Sequence, residues 1–126
     1  QPQLTMTEAS APVFWKEQVF DPETAEKMTE ILRQVIENPE GTGARARIEG
    51  LSLAGKTGTA EIKESQEDQK GTELGWFVVY TPDAETEDAV CIVSMVEDVK
   101  NRGGSGYLLE PLKNLLENRE NSKKNS

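Results

Sequence analysis

Apolar residues recur along this chain in two rhythms. Ala25, Met28, Leu32, Val35 and Ile36 return at spacings of three and four, which predicts a helix with an apolar stripe that other structure must cover. Asp21-Pro22-Glu23 opens it with a capping acid and proline at the first helical position, and Asn38-Pro39 stops it. The second rhythm is that of strands. Leu74 to Tyr80 and Ala89 to Val96 are rich in Val, Ile and aromatics, joined by the acidic turn Thr81 to Asp88. Ala44 to Ile48 and Leu51 to Ala60 also read as extended, broken at Glu49-Gly50. Glu61 to Glu73 reads as a long exposed connection. After Arg102-Gly103-Gly104-Ser105-Gly106, the leucines at 108, 109, 112, 115 and 116 predict a closing helix from about Tyr107.

This order predicts an α+β architecture: an antiparallel β-sheet of at least three strands packed by helices. Residues 1–20, with possible strand fragments at Val13-Phe14-Trp15 and Val19-Phe20, read as a partly ordered segment continuing from an upstream domain. Residues 21–117 read as the C-terminal part of that domain, and the polar residues 118–126 as a disordered tail. Trp15, Trp76, Phe77 and Tyr107 are assigned to packing, and so is Cys91, which stands alone in an apolar strand.

Composition removes several kinds of chemistry. With 14 Lys+Arg against 23 Asp+Glu, the net charge of -9 argues against nucleic acid, which gains affinity by releasing counterions to basic clusters. The chain has no histidine, so Ser-His-Asp triads and imidazole metal sites are excluded, and no cofactor is expected. No apolar run is long enough to cross a bilayer, so no direct membrane contact is expected from this segment. The sequence begins at Gln1 without a targeting segment and reads as a piece of a longer protein.

The run Gly55-Lys56-Thr57-Gly58-Thr59-Ala60-Glu61 carries two competing readings. Counted from Gly50, it satisfies the phosphate-loop pattern G-x-x-x-x-G-K-[ST]. That reading needs a loop with glycines in its variable positions and a packed helix after it. Leu51, Ser52, Leu53 and Ala54 alternate like a strand instead, and Gly58 with one large apolar residue, Ile62, follows. Gly41-Thr42-Gly43-Ala44-Arg45-Ala46 comes after a helix, the wrong context for a dinucleotide fingerprint.

As a strand, the segment would place the Thr57 and Thr59 hydroxyls on one side, about 6.5–7 Å apart. Two hydroxyls and the Lys56 ammonium suit a carboxylate, Gly58 permits close approach of an extended peptide, and the Thr59 N–H is a candidate oxyanion donor.

Several blocks in order now resemble the C-terminal part of the transpeptidase domain of penicillin-binding proteins: the helix Pro22 to Glu37, Gly41-Thr42-Gly43-Ala44, Lys56-Thr57-Gly58-Thr59-Ala60-Glu61, Gly75-Trp76-Phe77-Val78-Val79-Tyr80-Thr81-Pro82, and Gly103-Gly104. The resemblance implies a D-Ala-D-Ala acyl transferase on the extracytoplasmic face of a bacterial membrane, anchored by a distant N-terminal segment. Its expected partners are peptidoglycan stem peptides, β-lactams and the upstream half of the domain. Lys56 and Thr57 match the carboxylate-binding and proton-relay positions, Thr59 the second hydroxyl and oxyanion donor, and Gly58 the small residue between. A β-lactam sensor or hydrolase would use the same strand. The nucleophile motif S-x-x-K and the second motif S-x-N are absent from the sequence. The resemblance therefore implies one wall of an active site, inactive alone.

Overall fold

A computed structural model describes residues 16–63, 65, 67, 70–85 and 87–125. Helix α1, Pro22–Glu37, starts where the sequence predicts. The Asp21 carboxylate accepts the Thr24 N–H at 2.8 Å and the Thr24 hydroxyl at 2.9 Å, satisfying one of the free donors at the helix end. Asn38 leaves the helix in an extended conformation, as a residue before proline must. Only the last turns of its apolar stripe are covered: Ile36 is buried and Leu32 and Val35 half-buried, while Ala25 and Met28 stay exposed.

Ala44–Ala46 forms a short 3-10 turn rather than the expected extended segment. The turn buries Ala46 and hands the chain to a tight reversal at Gly50, whose φ of 78° suits a residue without Cβ. Three strands follow: β1 Ala54–Ile62, β2 Thr72–Tyr80 and β3 Cys91–Val96, antiparallel in the order β1-β2-β3. The register runs without a break from Ala54↔Tyr80 to Ile62↔Thr72 and from Gly75↔Val96 to Tyr80↔Cys91. A second 3-10 turn, Gly104–Leu108, leads into helix α2, Leu109–Lys124.

One face of the sheet carries the core. Phe77 and Val79 of β2 pack with Leu108, Leu109, Leu112 and Leu116 at the front of α2, joined by Ile36 of α1 and Leu53 ahead of β1. Strand alternation sends the intervening residues to the other face, where Trp76, Val93 and Met95 are 39%, 61% and 40% exposed. Three packing assignments are corrected here. Cys91 is exposed because it shares that open face with Val93 and Met95, and Trp76 for the same reason; Tyr107 is also exposed, its ring lying 3.7 Å under the Arg102 guanidinium. Phe77 is packed as expected; Trp15 and the Val13-Phe14 fragment lie outside the described residues. Val19-Phe20 forms bends with both side chains exposed, not a strand.

The C-terminal residues also differ from expectation. The stretch read as a disordered tail is helical through Lys124. There Lys123 Nζ lies 2.5 Å from the Asp88 carboxylate and Arg119 donates to the Asp88 carbonyl at 2.8 Å. These contacts tie the end of α2 to the β2–β3 turn. At the opposite corner, Arg33 of α1 reaches Ser52 and Asp83, with Glu30 alongside.

Candidate functional site

The phosphate-loop reading ends with β1. Gly50-Leu51-Ser52-Leu53-Ala54-Gly55-Lys56-Thr57 is a tight reversal running into a strand, and the chain leaves it into a hairpin rather than a helix. The lysine-bearing stretch is instead the outermost strand of the sheet among the described residues.

The direction of its backbone groups follows from the register. Val99 N–H donates to the Glu73 carbonyl at 3.0 Å, so Glu73 turns its backbone away from β1. Its partner Glu61 therefore belongs to a non-hydrogen-bonded pair, and in an antiparallel ladder that state repeats every second residue. Thr59↔Gly75 and Thr57↔Phe77 share it, which turns the N–H and C=O groups of Thr57 and Thr59 outward from the sheet. Two contacts agree. Ser94 Oγ donates to the Phe77 carbonyl at 3.3 Å, on the β3 side, and Lys56 Nζ donates to the Thr57 carbonyl at 2.6 Å, on the free side.

The side chains are arranged less symmetrically than the sequence implies. Lys56 is exposed and folded back along its own strand. Thr57 and Thr59 share the core-side face, as expected, but Thr57 is only 6% exposed and its hydroxyl lies 2.6 Å from the hydroxyl of Thr42. Thr59 is exposed, and its hydroxyl accepts the Ser105 N–H at 3.2 Å. Gly58 pairs with Trp76, and a Cβ there would meet only the Trp76 Cβ, at an ordinary 3.6 Å. Packing inside the chain thus does not require glycine at 58.

Two loops frame the strand. The turn after α1 brings Thr42 to Thr57, and the β3–α2 connection, with Gly103 and Gly104 at φ 91° and 59°, brings Ser105 to Thr59. Arg45 links the loops by donating to the Gly106 carbonyl at 2.5 Å. Sequence reasoning named Lys56, Thr57, Gly58 and Thr59 and overlooked Thr42 and Ser105. The signal for Thr42 was a hydroxyl between two glycines just ahead of the strand; Ser105 carried none. Glu61, farther along β1, is drawn below the ordinary carboxylate range by a hydrogen bond from Lys63, with the Lys63 and Lys100 charges adding to it. Among the described residues no cluster of three or more His, Cys, Asp or Glu side chains forms a metal site.

An outermost strand of the sequence Lys-Thr-Gly-Thr, displaying hydroxyls, an ammonium and outward amides, is the arrangement of a β-lactam-recognising transpeptidase. Residues 1–117 match the penicillin binding protein transpeptidase domain, and the chain belongs to that family. Penicillin-binding protein 3 of Bacillus subtilis (strain 168) is 39% identical over 113 residues, 90% of this chain and 16% of that protein. Penicillin-binding protein PbpB of Mycolicibacterium smegmatis (strain ATCC 700084 / mc(2)155) is 28% identical over 110 residues, again 16% of its length. A 64-residue stretch is 38% identical to Penicillin-binding protein 1A/1B of Bacillus subtilis (strain 168). The chain therefore covers about one sixth of the first two relatives. Residues 1–117 form part of a penicillin-binding transpeptidase domain, and the α+β class with an antiparallel three-stranded sheet agrees with that membership.

Proposed function

We infer that this chain supplies the carboxylate-binding and oxyanion-stabilising margin of a serine D,D-transpeptidase site. The nucleophile comes from a segment outside these residues, since S-x-x-K and S-x-N are missing from the sequence. The observation that carries this reading is the outward direction of the Thr57 and Thr59 backbone groups on the outermost strand. An extended stem peptide adds to that margin by main-chain hydrogen bonds, and Gly58 leaves room for it. As the serine attacks the D-Ala-D-Ala carbonyl, negative charge gathers on its oxygen. The Thr59 N–H, held in a sheet, meets that charge without rearrangement. The terminal carboxylate sits against the Lys56 ammonium and the threonine hydroxyls. D-Ala leaves, the acyl group passes to an amine, and a β-lactam enters by the same route and stays on the serine.

The partners of this reading are peptidoglycan stem peptides, β-lactams and the segment bearing the nucleophile; its setting is the outer face of a bacterial membrane. Among the described residues no helix is long and apolar enough to cross a membrane.

The test is covalent labelling by a fluorescent penicillin of the 126 residues assembled with the segment bearing the nucleophile. Labelling is expected only in the assembly. Lys56→Ala is expected to slow it on the order of 10–100-fold, the worth of a charge-assisted hydrogen bond. A folded assembly that stays unlabelled would refute the reading.

A further inference from the structure

The connection between β3 and α2 runs alongside β1 and carries a cation that no acid answers. Val99, fully buried, donates its N–H to the carbonyl of Glu73, which stands opposite Glu61. Arg102 N–H and Gly104 N–H both donate to the Val99 carbonyl, at 2.9 and 3.1 Å. Ser105 N–H then reaches the Thr59 hydroxyl, and the Gly106 carbonyl is taken by Arg45, three residues past the Thr42 that lies against Thr57. The loop thus starts level with Glu61 and returns toward Thr57, with Arg102 tied to its Glu61 end. In the acyl-transfer reading the scissile carbonyl lies at the Thr59 N–H and the terminal carboxylate toward Lys56. The acyl part of a donor therefore extends past Thr59 toward Glu61, the side on which Arg102 stands.

The Arg102 guanidinium lies 3.7 Å over the Tyr107 ring and forms no ion pair among the described residues, in a chain of net charge -9. At that separation it meets the ring with its face, since an N–H aimed inward would hold the carbon farther out. Stacking leaves the N–H groups in the guanidinium plane for another acceptor. It also orders a long side chain before any ligand arrives, so less rotamer freedom is lost on binding.

We propose that Arg102, held on Tyr107, is a specificity-determining residue that favours acyl donors carrying a second anionic group, on the acyl side of the scissile bond. The ligand class is a donor with a carboxylate on its acyl side chain, which a planar guanidinium grips by two parallel hydrogen bonds. This rests on the acyl-transfer reading and concerns a different group from the terminal carboxylate at Lys56.

The experiment compares benzylpenicillin with its α-carboxy derivative, carbenicillin, which adds one carboxylate to the acyl side chain. Second-order acylation rates are measured for both in the assembly carrying the nucleophile. Arg102→Gln is expected to slow carbenicillin about tenfold, the lower end for a charge-assisted hydrogen bond, and to leave benzylpenicillin within about twofold. Arg102→Lys keeps the charge without the planar fork and is expected to recover only part of the difference. Tyr107→Leu removes the platform and is expected to shift the ratio of the two rates in the same direction by a smaller factor. An unchanged ratio in Arg102→Gln, or an equal fall for both compounds, would overturn the assignment, while labelling of the wild type by benzylpenicillin keeps the acyl-transfer reading in place. Failure of the wild type to label with either compound would remove both.

Discussion

Two glycines on β1, three residues apart, answer to different constraints. A side chain at Gly55 would drive into the Val78 carbonyl of the neighbouring strand and press on Ile36 at 3.1 Å, so the position is closed by the sheet itself. Gly58 meets nothing closer than an ordinary contact. Gly55→Ala is therefore expected to destabilise the fold by about 1–3 kcal/mol, the cost of overpacking a filled site. Gly58→Ala is expected to leave the melting temperature unchanged or raise it slightly, since glycine in a strand is about 0.5–1 kcal/mol less favourable than alanine. In the assembly with the nucleophile, however, it should slow penicillin acylation, because on the function proposed above the added methyl stands where an extended ligand approaches. Melting curves and acylation rates for the pair separate a glycine kept for the fold from one kept for a ligand. That Lys56, Thr57, Gly58 and Thr59 lie along one strand was legible in the alternation of the sequence. That Thr42 lies against Thr57 was not, because the contact depends on a turn geometry that the sequence leaves open.

Three carboxylates sit where one element is fastened to the next, and each titrates below the ordinary value of 3.8. Asp21 is held down by the Thr24 backbone N–H at the start of α1, Asp83 by hydrogen bonds from Arg33 and Ser52, and Asp88 by its bond from Lys123. A folded value below the unfolded one stabilises the protein above the unfolded value. That contribution is lost as pH falls through the lowered folded value. The melting temperature is thus expected to hold near neutrality and to fall progressively below about pH 4, as these three acids take up protons. Asp83→Asn should flatten part of the descent, while lowering stability at neutral pH by removing the Arg33 partner. A descent unaltered in Asp83→Asn would show that this acid is not among its causes. The elements so fastened differ in how plainly the sequence announces them. Helix α1 has its bounds written in Asp21-Pro22 and Asn38-Pro39. The 3-10 turn at Ala44–Ala46 was read as extended because three residues give no period to recognise.

At the scale of the whole chain, the sheet is asymmetric: one face is filled by α2 and the end of α1, and the other is open over Trp76, Val93 and Met95. This asymmetry explains why Cys91 and Trp76 were read as packed. A continuous apolar run signals burial on both sides, and only one side is covered by the described residues. The C-terminal end was misread for the converse reason. Beyond Leu116 the apolar period stops, so nothing in the pattern extends the helix; what continues it is charge, in Arg119 and Lys123 reaching Asp88. The family match stops at residue 117 while α2 runs on to Lys124. A boundary drawn by likeness to relatives would thus cut through a working buckle. A version shortened after Glu117 is expected to melt at a lower temperature, because it loses the Arg119 and Lys123 contacts to Asp88 together with the end of α2. Protease nicking between Thr81 and Val90 should accelerate along with it, because the clasp being cut secures that distant bend.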